Sequence, residues 1–256
     1  MISRQAVALS TAALAVAALA GCSSSAKTGA AAATGTATPA ASSAAAQSGT
    51  NAGLSQAAVA AALQKAAASA TAVHVSGSAT SGGTSISLDI QLNKTPASAS
   101  GTINAGGTAV PFVSVGGVTY IQFTASVLKL SGADSDPAAS ALLKDKWVSS
   151  KSSVGSSIAT DFQDFTSYST FTTGMTSTGS NGMLNGATAA GTTSYHGQNV
   201  AVYKGSDGTM AYITASGPAY LVALVNASTS EAGTLSFTWN QPMTVNAPPA
   251  AQTYNG

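Results

Sequence analysis

Strict alternation marks the clearest stretches of the chain. In Ser85-Ile86-Ser87-Leu88-Asp89-Ile90-Gln91-Leu92 every second residue is apolar, so Ile86, Leu88, Ile90 and Leu92 share the buried face of a strand and Asp89 and Gln91 face water. The same period returns near the end, where Leu235, Phe237 and Trp239 alternate with Ser236, Thr238 and Asn240. A second kind of strand is apolar on both sides. Residues 110–115 and 118–123 flank Gly116-Gly117, which predicts a two-residue hairpin of the primed type. That turn sets Val115 opposite Val118 and Val113 opposite Tyr120 on one face, with Phe112 opposite Ile121 and Val110 opposite Phe123 on the other. Residues 220–225 are likewise apolar on both sides, so part of the sheet must be covered on each face by helices, a second layer or a ligand. Residues 200–203 and 210–214, joined through Asp207-Gly208, predict a further hairpin.

Helical spacing is weaker. Across 54–72 an alanine-rich run carries Val59, Leu63, Ala66, Ala70 and Val73 along one narrow stripe, which must lie on a larger partner. Asp136-Pro137 matches an N-cap followed by proline at the first helical position, opening a helix through Leu142 and Leu143. Ile158, Phe162 and Phe165 stand four and three apart, which predicts another short helix with an aromatic inner face. The expected order is a helix, four or five strands, two short helices and several more strands. Strand runs on either side of helices, without strict alternation, indicate an α+β fold with a mostly antiparallel sheet.

The first 22 residues follow another logic. A short segment carrying Arg4 precedes an apolar stretch over 6–18 and then Leu19-Ala20-Gly21-Cys22. This reads as a secretory signal peptide, residues 1–21, ending in a lipobox. Small residues let a signal peptidase approach the backbone, and the Cys22 thiolate is the nucleophile that takes a diacylglycerol. Together with an N-acyl chain such as palmitate, that supplies several tails, enough for stable anchoring. The expected location is the extracytoplasmic face of the cell membrane. Residues 22–53, nearly all Ala, Ser, Thr and Gly after the cysteine, cannot bury enough surface to offset their ordering entropy. They form a tether of about 30 residues with an r.m.s. reach of about 30 Å. Residues 54–256 are left for one globular domain.

Composition narrows the function. Charged residues are 7% of the chain, the formal net charge is +1, and without Arg4 the charges balance. No basic stripe exists for a phosphate backbone, which excludes nucleic acid as a partner. The single cysteine leaves no disulfide, so stability must come from burial.

No catalytic constellation stands out. Ser-x-x-Lys occurs at Ser24/Lys27 and Ser126/Lys129, a spacing that chance supplies in a serine-rich chain. His74 and His196 lack a Gly-x-Ser-x-Gly elbow and lie too far apart in sequence to suggest a metal cluster. The doublets Gly82-Gly83, Gly106-Gly107 and Gly116-Gly117 read as turns. No catalytic residue, metal or cofactor is assigned. Trp147, Phe162, Phe165, Tyr220, Phe237 and Trp239 either line a cavity or fill the core of a domain with few other large side chains, and core is the better reading.

The lipobox, the helix after the tether, and Ser114-Val115-Gly116-Gly117-Val118-Thr119-Tyr120 followed by Trp147-Val148 carry a resemblance. Tyr195-His196-Gly197-Gln198-Asn199-Val200, Asp207-Gly208-Thr209-Met210-Ala211-Tyr212-Ile213, Gly217-Pro218-Ala219-Tyr220 and Phe237-Thr238-Trp239-Asn240 add to it. From about residue 54 to 249 the chain resembles the actinobacterial LppX/LprG-type lipoproteins, whose domain is LolA-like. The resemblance implies a half-barrel, a strongly curved antiparallel sheet with helices packed on its concave side. It also implies a hydrophobic cavity between the two that takes up lipid or glycolipid acyl chains. Phe112, Tyr120, Ile121, Phe162, Phe165, Tyr220, Val222 and Leu224 are the residues expected to line that cavity. Two further readings stay open: an envelope interaction or structural lipoprotein with a packed core, presenting its surface to a protein partner, and an extracytoplasmic serine hydrolase.

Overall fold

The computed structural model describes residues 50–81, 83–176, 184–228 and 232–256. The signal peptide, Cys22 and all but the end of the expected tether lie outside them. Helix α1 (Gln56–Ser69) starts on Ser55, whose hydroxyl accepts from the Ala58 amide. It stops three residues short of the expected end, because Thr71 N–H donates to Asn240 Oδ1 at 2.9 Å and the chain enters strand β1 (Ala72–Ser81). Val73, expected on the helical stripe, is instead in β1, opposite Leu92 and Trp239.

An antiparallel meander follows through β2 (Thr84–Asn93), β3 (Ser98–Ala105), β4 (Thr108–Val115) and β5 (Val118–Gln122). The β4–β5 register pairs Phe112 with Ile121, Val113 with Tyr120 and Val115 with Val118, as the glycine doublet predicts. Gly116 and Gly117 stand at φ +60° and +75°, the left-handed pair that a primed turn demands. Strand β3, SASGTINA, has little apolar alternation and is a strand because its backbone pairs on both edges.

The middle of the chain holds more helices than the two expected. They are α2 (Ala125–Ser131), α3 (Pro137–Leu143), α4 (Ser153–Asp161), α5 (Gln163–Thr166) and α6 (Tyr168–Thr176), with strand β6 (Trp147–Ser149) between α3 and α4. Asp136 caps α3 as read, its carboxylate accepting from the amides of Ala138 and Ala139. Phe162 and Phe165 do not share one continuous helix with Ile158: the chain breaks at Phe162, between α4 and α5. The side chain of Ile158 lies outside the described residues.

Strands β7 (Thr188–Tyr195), β8 (Gln198–Lys204), β9 (Met210–Thr214), β10 (Leu221–Asn226), β11 (Gly233–Trp239) and β12 (Thr253–Tyr254) complete one sheet of 12 strands among the described residues. Its order is β12-β6-β5-β4-β3-β2-β1-β11-β10-β9-β8-β7, and only β12 on β6 is parallel. The sheet is curved and unclosed, with helices on the concave side. Val73, Val75, Ile90, Leu92, Phe112 and Ile121 point to that side and form the core with Val59 and Leu63 of α1. His74, Asp89 and Gln91 alternate to the convex side.

Two segments fasten the ends. Asn51, 7% exposed, donates through Nδ2 to the carbonyls of Thr214 and Gly217. Tyr203 Oη donates to Asn51 O at 2.7 Å and accepts from Leu54 N–H at 3.0 Å. Contacts of the domain thus begin before residue 54. After β11 the chain is held to the convex side by the buried amides of Gln91 and Asn93, which donate to the carbonyls of Gln241 and Met243.

Candidate functional site

The residues expected to line a cavity separate into three groups. Phe112 and Ile121, each 1% exposed, are cross-strand neighbours on the concave face, and the Phe162 ring tilts against Phe112 with centroids 6.1 Å apart. Phe165 packs half-buried on the same core, and Leu224 is buried from the β10 side. Tyr220 stacks on Trp239 at 5.2 Å beside the end of α1 and accepts from Asn240 Nδ2. Tyr120 and Val222 are not brought to these. Tyr120 is adjacent to Ile121 and so points to the opposite face, across from Val113. Val222 sits at the β10 irregularity, where the register with β9 shifts between Leu221 and Ala223, and lies outside the contiguous core.

Space is found elsewhere. A groove of about 820 Å³ opens at one end of the concave side, between the C-terminal half of α1, one side of α6 along its length and the β2–β3 and β4–β5 turns. Gln64, Lys94, Ser98, Thr119, Tyr168 and Thr172 represent its lining, which is mostly hydroxyl and small side chains. None of the eight expected cavity residues lines it.

Many of those hydroxyl protons are already committed. Thr172 Oγ1 donates to Tyr168 O at 2.8 Å, Thr176 Oγ1 to Thr172 O at 2.9 Å and Tyr168 Oη to Ala67 O at 2.7 Å. Thr119 donates to Ser114 Oγ, and the Lys94 ammonium donates to Ala68 O. A hydroxyl that donates inward keeps its lone pairs, so the walls offer acceptors to whatever enters. The sequence signal was the i, i+4, i+8 row Tyr168, Thr172, Thr176 on α6, which a search for apolar stripes passes over.

A closed apolar seam adjoins the groove. Leu63, Met175, Leu184, Leu221 and Leu224 meet there, and no space the size of a water molecule remains between them. Thr176 walls both the seam and the groove.

Burial, and then the neighbouring Tyr220, pushes the Tyr168 hydroxyl up to about 12. Burial also raises Tyr203, against the opposing hydrogen bond from Leu54 N–H. A phenol raised in the fold stabilises it fully below the unfolded value of about 10, and that contribution is lost as pH rises through about 12. We expect about 2 kcal/mol to disappear across this window through Tyr168. Urea unfolding from about pH 9 to about pH 12 should therefore show a steeper fall for the wild type than for Tyr168→Phe. Parallel curves would refute this.

The groups considered for chemistry are scattered. His74 Nε2 pairs with Asp89 Oδ1 at 2.8 Å on the convex face, and His196 lies in the β7–β8 turn with its ring edge-on to Tyr195. Ser126 and Lys129 lie exposed on α2. Among the described residues no group of three His, Cys, Asp or Glu is placed to hold a metal.

No protein-family model and no curated protein matches the chain. Among solved structures it is similar to the Mycobacterium tuberculosis lipoprotein LppX, at 20% identity over 75% of this chain and 100% of that one, with a TM-score of 0.43. It is similar also to LprF from Mycobacterium bovis, at 14% identity over 75% of this chain and 96% of that one, with a TM-score of 0.47.

Proposed function

We propose that this chain is a non-catalytic lipoprotein, held to the extracytoplasmic face of the cell membrane through Cys22, that binds an amphiphilic lipid between its helices and its sheet. The observation that carries the reading is the groove of about 820 Å³ lying against an apolar seam. Volumes of this order belong to small-molecule sites, while well-packed cores leave few voids larger than water. The polar part of the ligand sits in the groove, against the acceptor-rich walls. The lipobox and the family resemblance support the same reading from the sequence side. One observation favours the alternative of a packed interaction protein: Phe112, Ile121 and Leu224 already fill the place where the cavity was expected.

Native mass spectrometry with lipid extraction on the lipidated mature chain, purified from its own envelope, separates the two. The binding reading expects lipid at near-stoichiometric amount. A clean apo mass, unchanged after incubation with envelope lipids, would transfer the weight to the packed interaction protein.

A further inference from the structure

The groove and the seam are two compartments with one shared wall. On the groove side stand hydroxyls, and on the seam side stand Leu63 of α1, Met175 of α6, Leu184, and Leu221 and Leu224 of β10. Thr176 touches both, so displacing α6 would join them.

The α1–α6 contact is built to part. Ala66 and Ala67 of α1 and Thr172 and Thr176 of α6 are buried but small, and small side chains bury little apolar area. Both threonines turn their hydroxyls back onto α6 itself, to Tyr168 O and Thr172 O. Among the described residues the one side-chain hydrogen bond between the two helices is Tyr168 Oη to Ala67 O. Polar atoms on α6 therefore remain satisfied when it moves, except at that single bond. Met175, an unbranched and adaptable side chain, is the residue that would re-pack around an incoming chain.

We propose that α6 is the movable wall of a slot for a single hydrocarbon chain, that Tyr168 latches it shut on α1, and that the ligand enters from the groove past Thr176. This rests on the binding reading above and adds how the site opens and what it takes. The tail of one acyl chain goes among the five seam residues while its polar end stays in the groove. A ligand with several bulky tails does not fit a slot bounded by α1, α6 and one strand.

Hydrogen exchange on the lipidated mature chain in nanodiscs, with and without monooleoylglycerol, a single acyl chain with two hydroxyl donors, tests it. The amides of Met175 and Thr176 should exchange ahead of those in β1–β3, and Tyr168→Phe should speed them about tenfold while the strands stay unchanged. Monooleoylglycerol should slow them again in both proteins. If α6 and the strands exchange as one unit, the movable wall is overturned, whether or not monooleoylglycerol binds. If α6 opens separately but monooleoylglycerol neither binds nor slows it, the slot and the binding reading fall together.

Discussion

Gly101→Ala is expected to cost the domain about 3 kcal/mol. Gly101 stands in β3 between Ile90 of β2 and Phe112 of β4. A Cβ there would lie 2.2 Å from Asp89 O and 2.7 Å from Ile90 Cα. Those atoms are backbone, held in a ladder whose next strand, β1, carries the core residues Val73 and Val75, so neither can retreat without breaking pairs. The difficulty is close approach and not a left-handed dihedral. A loss of this size is a large share of the roughly 5–15 kcal/mol by which domains are stable. Gly174 supplies the contrast: it is helical, nothing lies within 4 Å of its Cβ position, and Gly174→Ala should stabilise by about 0.5–1 kcal/mol. Urea midpoints of the two variants should move in opposite directions. An unshifted midpoint for Gly101→Ala would show that the sheet is looser here than its geometry implies.

What was legible in the sequence had its cause within a few residues. The β4–β5 register followed from Gly116-Gly117 and the start of α3 from Asp136-Pro137, because each depends on local dihedrals. Alternation placed the two faces of β2, but Ile86 and Leu88 are only half-buried, and Gln91, expected to face water, is buried because the chain after β11 covers it. What escaped depended on distant partners. Strands β3 and β7 carry few apolar side chains and are strands because neighbours pair with their backbones. The end of α1 is set by Asn240, 169 residues away from Thr71. The same holds for the site. Phe112 and Ile121 were identifiable as concave residues, but alternation alone already sent Tyr120 to the other face. The groove forms where α1 and α6, about 100 residues apart, close on two turns, and Tyr168 meets Ala67 across a separation of 101. Its residues are serines and threonines with no apolar period to mark them. The high share of small residues, which argues against a deep greasy pocket, corresponds to a shallow hydroxyl-lined groove over a closed seam.

Replacing Cys22 is expected to move the protein almost entirely from the membrane fraction to the soluble extracytoplasmic fraction. The proposed anchor is a thioether, which only a thiolate at this position can form, and the chain contains no second cysteine to take over. Among the described residues nothing else offers a comparable hold. No helix among the described residues is long and apolar enough to cross a membrane. The charges of the mature chain balance, which removes electrostatic attraction to anionic lipid as a substitute. A single acyl tail binds only marginally, whereas several bind in effect permanently, so losing all of them changes partitioning by orders of magnitude. Cys22→Ala and Cys22→Ser should behave alike, because a hydroxyl does not replace the thiolate. The domain released should keep the wild-type unfolding midpoint, since the described contacts of the domain begin at Thr50 and Asn51. Salt-resistant membrane association of Cys22→Ala would sink the lipobox reading and with it the proposed location. Release with an unchanged midpoint would show that anchoring and folding are independent, leaving the groove to be studied on the released chain.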